Sequence, residues 1–300
     1  MTVQDVVIIG GSFAGLSAAT PLVRAQRKVL MVDQNRPRNR FAKASHGIAC
    51  LDGMSPAEIR SRALAQLQRY PSFELIDDTV SNIDGVAGAF NVATEARKTF
   101  ASKRLIIAAG ITDILPNIPG LEPHWGKSVL HCPYCHGYEL RGRELGVLAS
   151  SEMSFHQAAL LPDWGATTLF TQGQFVPDQE IQERLTSRGV SIEVSPVVQV
   201  NGDGEGLSSI ELEDGRTVRI DGLYITPHVS ANLGFLKSFE LEMVDSPLGR
   251  LVKVNELKES SKKGVFVAGD LSNPMQNGTF AMASGTMAGI AAHRSLVFED

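Results

Sequence analysis

The sequence predicts an α/β protein with two Rossmann-like, three-layer dinucleotide-binding domains, the second inserted in the first. Three observations predict this. A β-branched strand, a glycine turn, a helix and an acid-terminated strand open the chain, and a similar strand–helix–strand order recurs after residue 143. Proline-rich stretches flank the second block at Leu115-Pro116-Asn117-Ile118-Pro119-Gly120 and Ile225-Thr226-Pro227-His228, where proline stiffens the chain and stops helices. A length of 300 residues is enough for two domains with well-developed cores.

Val6-Val7-Ile8-Ile9 is a continuous apolar, β-branched run, the pattern of a strand buried on both faces of a parallel sheet. It enters Gly10-Gly11-Ser12-Phe13-Ala14-Gly15, and a helical pattern follows from Leu16. Val29-Leu30-Met31-Val32 is the next strand, ending in Asp33, about 20 residues beyond the turn. This order sets a dinucleotide's pyrophosphate on a helix N-terminus and its ribose on a carboxylate. Ser12 replaces the middle glycine of G-x-G-x-x-G, so the approach of phosphate must accommodate a small side chain.

Two later strands support the same reading. Lys103 to Gly110 closes on Ala108-Ala109-Gly110, small residues where a chain passes close to something bulky. Gly264 to Asp270 ends in Gly269-Asp270, and Asn277-Gly278-Thr279 then leads into a helix rich in Ala and Gly from Phe280 to about His293. Small residues at that helix's start let a ring approach its positive dipole end.

Composition excludes several classes. The net charge of −5 is mild, and the densest basic cluster, Arg36, Arg38 and Arg40, is a short loop and no nucleic-acid surface. No apolar run approaches the roughly 20 residues that span a membrane. Met1-Thr2-Val3-Gln4-Asp5 lacks the basic region of a signal peptide, so a cytoplasmic location is expected. In that compartment a Cys-x-x-Cys is more often catalytic or metal-binding than a structural disulfide.

His131-Cys132-Pro133-Tyr134-Cys135-His136 holds two of the three cysteines. A single turn brings both sulfurs within bonding reach. The letters also describe c-type haem attachment, which requires export. A zinc site from His131, Cys132, Cys135 and His136 lacks a second cysteine pair to complete a tetrahedron, and no metal is expected. An inert buried pair is the plain alternative, and a redox disulfide is the reading that a dinucleotide site favours. Pro133 belongs in a helix's first turn with Cys132 near its N-cap, where the helix end and a protonated His136 favour thiolate. Cys50, alone in Gly47-Ile48-Ala49-Cys50, is expected to be a small buried hydrophobe, and Trp125 beside His124 to serve packing.

In order and spacing, the glycine turn, Ala108-Ala109-Gly110, the Cys-x-x-Cys and Gly269-Asp270 resemble the low-molecular-weight thioredoxin reductase family over nearly the whole chain. The longer run Cys132-Pro133-Tyr134-Cys135-His136-Gly137-Tyr138-Glu139 is more similar to a sub-branch that includes dithiol oxidases. The resemblance implies FAD, held by Gly10, Ser12, Phe13, Ala14 and Gly15 at the turn. Asp33, Gln34, Arg40 and His46 would follow from the next loop, Ala109 and Gly110 from the middle strand, and Gly269, Asp270, Gly278, Thr279 and Phe280 from the C-terminal part. It also implies that Cys135 faces the flavin and that Cys132 forms the mixed disulfide with substrate. His136 stands where the family carries an aspartate as acid and base, and is expected to shuttle the thiol proton. A homodimer is implied, with a thioredoxin-like protein or a small dithiol or disulfide as substrate.

The same resemblance divides the chain into an FAD domain, residues 1–117 plus 228–300, and an inserted NADPH-domain-like module, residues 118–227, carrying the Cys-x-x-Cys. In that module Glu144 to Ala149 is a strand, Phe155 to Leu161 a helix that Pro162 ends, and Thr167 to Thr171 the next strand. The turn between them, Ala149-Ser150-Ser151-Glu152-Met153-Ser154, has no glycine, and Glu152 sets a negative charge where phosphate should lie. After Thr171, Gln172 to Asp178 offers no arginine for a 2′-phosphate and no strand-ending acid for a ribose. The fold is expected to be kept and NADPH binding to be impaired. Strands are expected at Val190–Val194, Ile210–Glu213 and Thr217–Ile220, with a hairpin at Asp214-Gly215 and a turn at Asp203-Gly204-Glu205-Gly206. Electrons then come from a substrate dithiol, with oxygen as acceptor, or from a ferredoxin-type protein or second flavin, or from NADPH after all. A non-catalytic flavin redox sensor is the rival from another class.

Overall fold

The computed structural model describes residues 3–204 and 206–298. The chain divides into two compact units. The first runs to Arg40 and adds Ser55–Thr112 and the chain from Val229 on; the second is Phe41–Met54 with Asp113–His228. The sequence gives no reason to separate Phe41–Met54 from its neighbours.

In the first unit, β1 (Gln4–Ile9), α1 (Phe13–Arg24) and β2 (Val29–Asp33) form the expected parallel unit, with Val6 beside Val29 and Ile9 beside Val32. α2 (Pro56–Leu67) leads into β3 (Phe73–Asp77), and β4 (Val80–Val86), β5 (Ala89–Thr94) and β6 (Thr99–Ile107) follow as an antiparallel meander. β7 (Ile111–Ile114) ends this stretch.

The second unit carries β8 (Val129–Leu130), the single turn α3 (Pro133–His136), β9 (Glu144–Leu148), α4 (Met153–Leu160), β10 (Ala166–Phe170), α5 (Gln179–Ser187) and β11 (Ser191–Glu193). β12 (Val197–Asp203), β13 (Gly206–Leu212) and β14 (Thr217–Arg219) make an antiparallel meander, and β15 (Gly222–Ile225) returns to the main sheet. The expected turn lies between β12 and β13, with its Glu205 outside the described residues. β16 (His228–Ala231), the hairpin β17 (Met243–Ser246) and β18 (Gly249–Val252), β19 (Val265–Val267) and α6 (Gly278–Phe298) complete the chain.

The first sheet runs β3-β2-β1-β6-β5-β4, with β19 also parallel to β6. Alternation along β1 splits the core: Val6 and Ile8 pack with α1 and α6, Val7 and Ile9 with the opposite face. α6 lies on α1 through small residues. A Cβ at Gly285 would stand 2.0 Å from the Ala14 carbonyl oxygen, and one at Gly289 2.3 Å from that of Ala18. The second sheet, β11-β10-β9-β15-β8, is parallel throughout and buried between Leu121, Leu148 and Phe170 on one side and Leu130, Val147 and Tyr224 on the other. Both units are thus the Rossmann-like sheets that the sequence predicts.

Cys50 corrects an expectation: it is exposed, in a turn at φ +66°, while its neighbour Ile48 takes the buried position. The turn's direction overrides the usual preference of a lone cysteine for the interior. Among the described residues no helix is long and apolar enough to cross a membrane. Among them, too, no group of three or more His, Cys, Asp or Glu side chains is placed to hold a metal ion.

Candidate active site

At the C-terminal end of β1 the chain turns sharply into α1. Gly10 adopts φ +101°, and a Cβ there would lie 2.3 Å from the Ala108 carbonyl oxygen, so only glycine lets the turn rest on β6. A Cβ on Gly15 would meet the Gly10 carbonyl oxygen at 1.9 Å, so the first turn of α1 packs directly on that loop. Ser12 occupies the N-cap position but makes no side-chain capping hydrogen bond, and no acid lies in the first turn. The amide groups of Phe13, Ala14 and Gly15 therefore sit at an uncapped, carboxylate-free helix start, as an anionic pyrophosphate requires.

Asp33 ends β2 beside this turn, 9% exposed. Its carboxylate accepts from the Arg60 guanidinium on α2 at 2.5 Å, and Arg60 also donates to the Gly11 carbonyl at 3.2 Å. Arg38 donates to Asp270 at 3.1 Å and to Gln276 at 2.7 Å. The sequence marks Arg38 only as part of a basic loop cluster and does not single out Arg60, because each meets its acid from a distant element. Gly110 follows β6 at φ +67° with open space where a side chain would begin. Gly269, at φ +76°, donates its amide to Ser284, and Gly278, Thr279 and Phe280 form the first turn of α6, where Asn277 accepts from the Thr279 amide at 2.7 Å. Gln34 and Arg40 are exposed. The first unit thus gathers the turn, Asp33, Ala109-Gly110 and Gly269-Asp270, whereas His46 belongs with the second.

In the second unit Cys132 and Cys135 are disulfide-bonded, with Cα atoms 5.3 Å apart. Cys132 is the extended N-cap of α3, Pro133 is its first residue, and Cys135 donates its amide to the Cys132 carbonyl at 3.2 Å. A single turn supplies little dipole, so thiolate stabilisation must come from side chains. The turn rests on Trp164: a Cβ on Gly137 would stand 2.7 Å from that indole, and the ring meets Tyr134 edge-on at 5.7 Å. Gln157, buried on α4, donates to the His131 carbonyl at 2.7 Å and braces the loop from below. Tyr134 and Tyr138 are exposed on either side of Cys135.

His136 is half-buried, and burial pushes its pKa below the usual histidine value; Glu139 opposes this and His46 adds to it. With the cysteines in the disulfide, the ring therefore favours its neutral form, a proton acceptor. His46 points one ring nitrogen at Asp52, 3.4 Å away, and the other at Glu139, 3.5 Å away.

The nucleotide edge of the second unit is built differently from that of the first. Glu152 holds the N-cap position of α4 in a helical conformation without capping. The Ser150 amide donates to Ser154 Oγ at 3.1 Å, the Ser154 amide to the Ser151 carbonyl and the Phe155 amide to that of Glu152. Ser150 Oγ donates to the Thr226 carbonyl at 2.8 Å. Three amides of this turn are thus bonded within it.

Residues 4–285 match the family described as pyridine nucleotide-disulphide oxidoreductase. The chain belongs to this family. It is 33% identical over 308 residues, spanning 98% of this chain and 95% of the relative, to the thioredoxin reductase tcpT of Claviceps purpurea. It is 30% identical, spanning 96% and 93%, to the thioredoxin reductase sirT of Leptosphaeria maculans. The crystal structure of an oxidoreductase from Agrobacterium tumefaciens superposes with a TM-score of 0.95 at 39% identity over the full length of both chains. The protein is therefore a thioredoxin reductase-like, flavin-dependent disulfide oxidoreductase with FAD as its cofactor. The residues of the first unit fit FAD: an uncapped helix start, the close-packed glycines and a carboxylate at the end of β2 are what a dinucleotide needs. In the turn of the second unit the Ser150, Ser154 and Phe155 amides already have partners within the turn, and the N-cap is an acid.

Proposed function

We propose that the protein oxidises a dithiol to its disulfide through the Cys132–Cys135 pair and FAD, without drawing on NADPH. The Ser150 to Ser154 hydrogen bond carries this reading, because it occupies the turn on which NADPH would have to place its phosphates. In this reading residues 118–227 are a nicotinamide module that has kept its fold and serves to carry the redox pair. The first unit holds FAD through the glycine turn, Asp33, Ala109-Gly110, Gly269-Asp270 and the first turn of α6.

A substrate thiolate attacks Cys132 Sγ, the disulfide breaks, and Cys135 leaves as a thiolate. The second substrate sulfur attacks the mixed disulfide, releasing the oxidised product and the Cys132 thiolate. The substrate loses two electrons and two protons, and the cysteine pair gains the electrons. His136 accepts a thiol proton, a role that its neutral ring supports. Bound FAD supplies the two-electron sink that restores the disulfide, with dioxygen as the final acceptor, reduced to hydrogen peroxide.

A small dithiol or a thioredoxin-like protein fits as substrate, since Cys132 and Cys135 are partly exposed and Tyr134 and Tyr138 beside them are exposed. A homodimer in the cytoplasm completes the reading, on the strength of the family resemblance. Relatives named thioredoxin reductases favour a second reading, NADPH-driven disulfide reduction. The two are separated by oxygen uptake with a dithiol in the absence of NADPH. The proposal expects one hydrogen peroxide per dithiol oxidised and loss of turnover in Cys132→Ser and Cys135→Ser. No uptake, together with NADPH-dependent reduction of a protein disulfide, would overturn it.

A further inference from the structure

The segment Phe41–Met54 lies between an FAD-unit strand and helix in sequence, yet it belongs with the unit that bears the disulfide. Its His46 is 93 residues from Glu139, and the two approach to 3.5 Å. The other face of the imidazole is taken by Asp52 at 3.4 Å, and Asp52 is itself fixed by the Gly47 amide, which donates to its second oxygen at 2.8 Å. A neutral imidazole donates to one of these carboxylates, whereas the protonated ring donates to both. Glu139 lies one turn beyond His136, so the histidine that takes the thiol proton and the carboxylate held by His46 share a single short stretch.

We infer that Asp52, His46 and Glu139 form a positioning chain that fixes the Glu139 carboxylate beside His136 and so prepares His136 to receive a proton. The role rests on the dithiol–disulfide reading of the site. Glu139 favours the charged form of His136 and His46 opposes it. Tyr224, buried beneath, also senses Glu139, and Arg141 is drawn over the Tyr138 ring at 4.4 Å. Asp52 is linked to Glu139 through the two ring nitrogens of His46. His46 is thereby assigned to the disulfide unit and not to the flavin cradle.

The test is the pH titration of the His136 ring, followed by its proton–carbon resonance in the oxidised, FAD-loaded protein and assigned with His136→Asn. Glu139→Gln should lower the His136 midpoint by roughly 0.5 in pH. Asp52→Asn, which frees His46 and with it the Glu139 carboxylate, should move the midpoint only while Glu139 is present, so the double variant should titrate like Glu139→Gln alone. Asp52→Ala supplies the same arm should the asparagine keep the histidine contact, and the flavin spectrum reports folding. A His136 midpoint unmoved by either Asp52 variant, or effects that add in the double variant, would overturn the chain. The measurement involves no turnover, so it stands apart from whether a dithiol or NADPH feeds the flavin.

Discussion

Ser154 Oγ accepts the Ser150 amide at 3.1 Å, inside the turn that a nicotinamide dinucleotide would occupy. A phosphate would have to displace this bond and also face the Glu152 carboxylate at the helix start. Equilibrium titration should therefore show NADPH and NADH binding no tighter than about 1 mM. A variant combining Glu152→Gly with Ser154→Ala, which releases the Ser150 amide and removes the acid, should bind more tightly.

The Arg60 guanidinium holds Asp33 in place next to Gly11. Arg60→Met leaves the buried carboxylate without its partner and Gly11 without a donor. A charge-assisted hydrogen bond of this kind contributes about 1.5–3 kcal/mol, so FAD should be held roughly tenfold or more weakly. Release of flavin fluorescence on dilution measures this directly.

His136 carries a pH signature in stability. Its folded-state pKa is depressed by burial, so near the ordinary histidine range the unfolded chain binds the proton more readily than the folded one. Its contribution is present above the unfolded pKa and is lost as pH falls through that value toward the folded one. His124, depressed by burial and by Lys127 against Asp203, adds with the same sign. Urea midpoints between about pH 5.5 and 7.5 should fall on acidification, and less steeply in His136→Asn.

Much of the fold was legible because its signals are local. Val6 to Ile9, the glycine turn and Asp33 lie within one strand–helix–strand unit, and Pro133 placed Cys132 at a helix start by a rule that acts over one residue. The hydrogen-bond partners were not legible. Arg38 reaches Asp270 across 232 positions, and Arg60, Gln157 and His46 meet their partners through tertiary packing that leaves no period in the sequence. The C-terminal helix was legible as rich in Ala and Gly, but only the structure sets Gly285 and Gly289 against Ala14 and Ala18. Cys50 went the other way, since a residue type usually buried lies on a turn that faces it outward.

The contact of α6 with α1 has no spare room. A methyl group at Gly285 would collide with the Ala14 backbone, which cannot rotate away as a side chain does. Gly285→Ala should cost about 1–3 kcal/mol by overpacking, seen as a lower denaturant midpoint. It should also loosen FAD, because Ala14 belongs to the first turn of α1.

The central claim is that electrons enter from a dithiol and not from a nicotinamide. Its most direct test follows the flavin absorbance of the FAD-loaded protein under anaerobic conditions, with NADPH, NADH and a small dithiol added to separate samples. The account predicts bleaching by the dithiol alone, reversal on admitting air, and no dithiol bleaching in Cys132→Ser. Rapid bleaching by NADPH would contradict it.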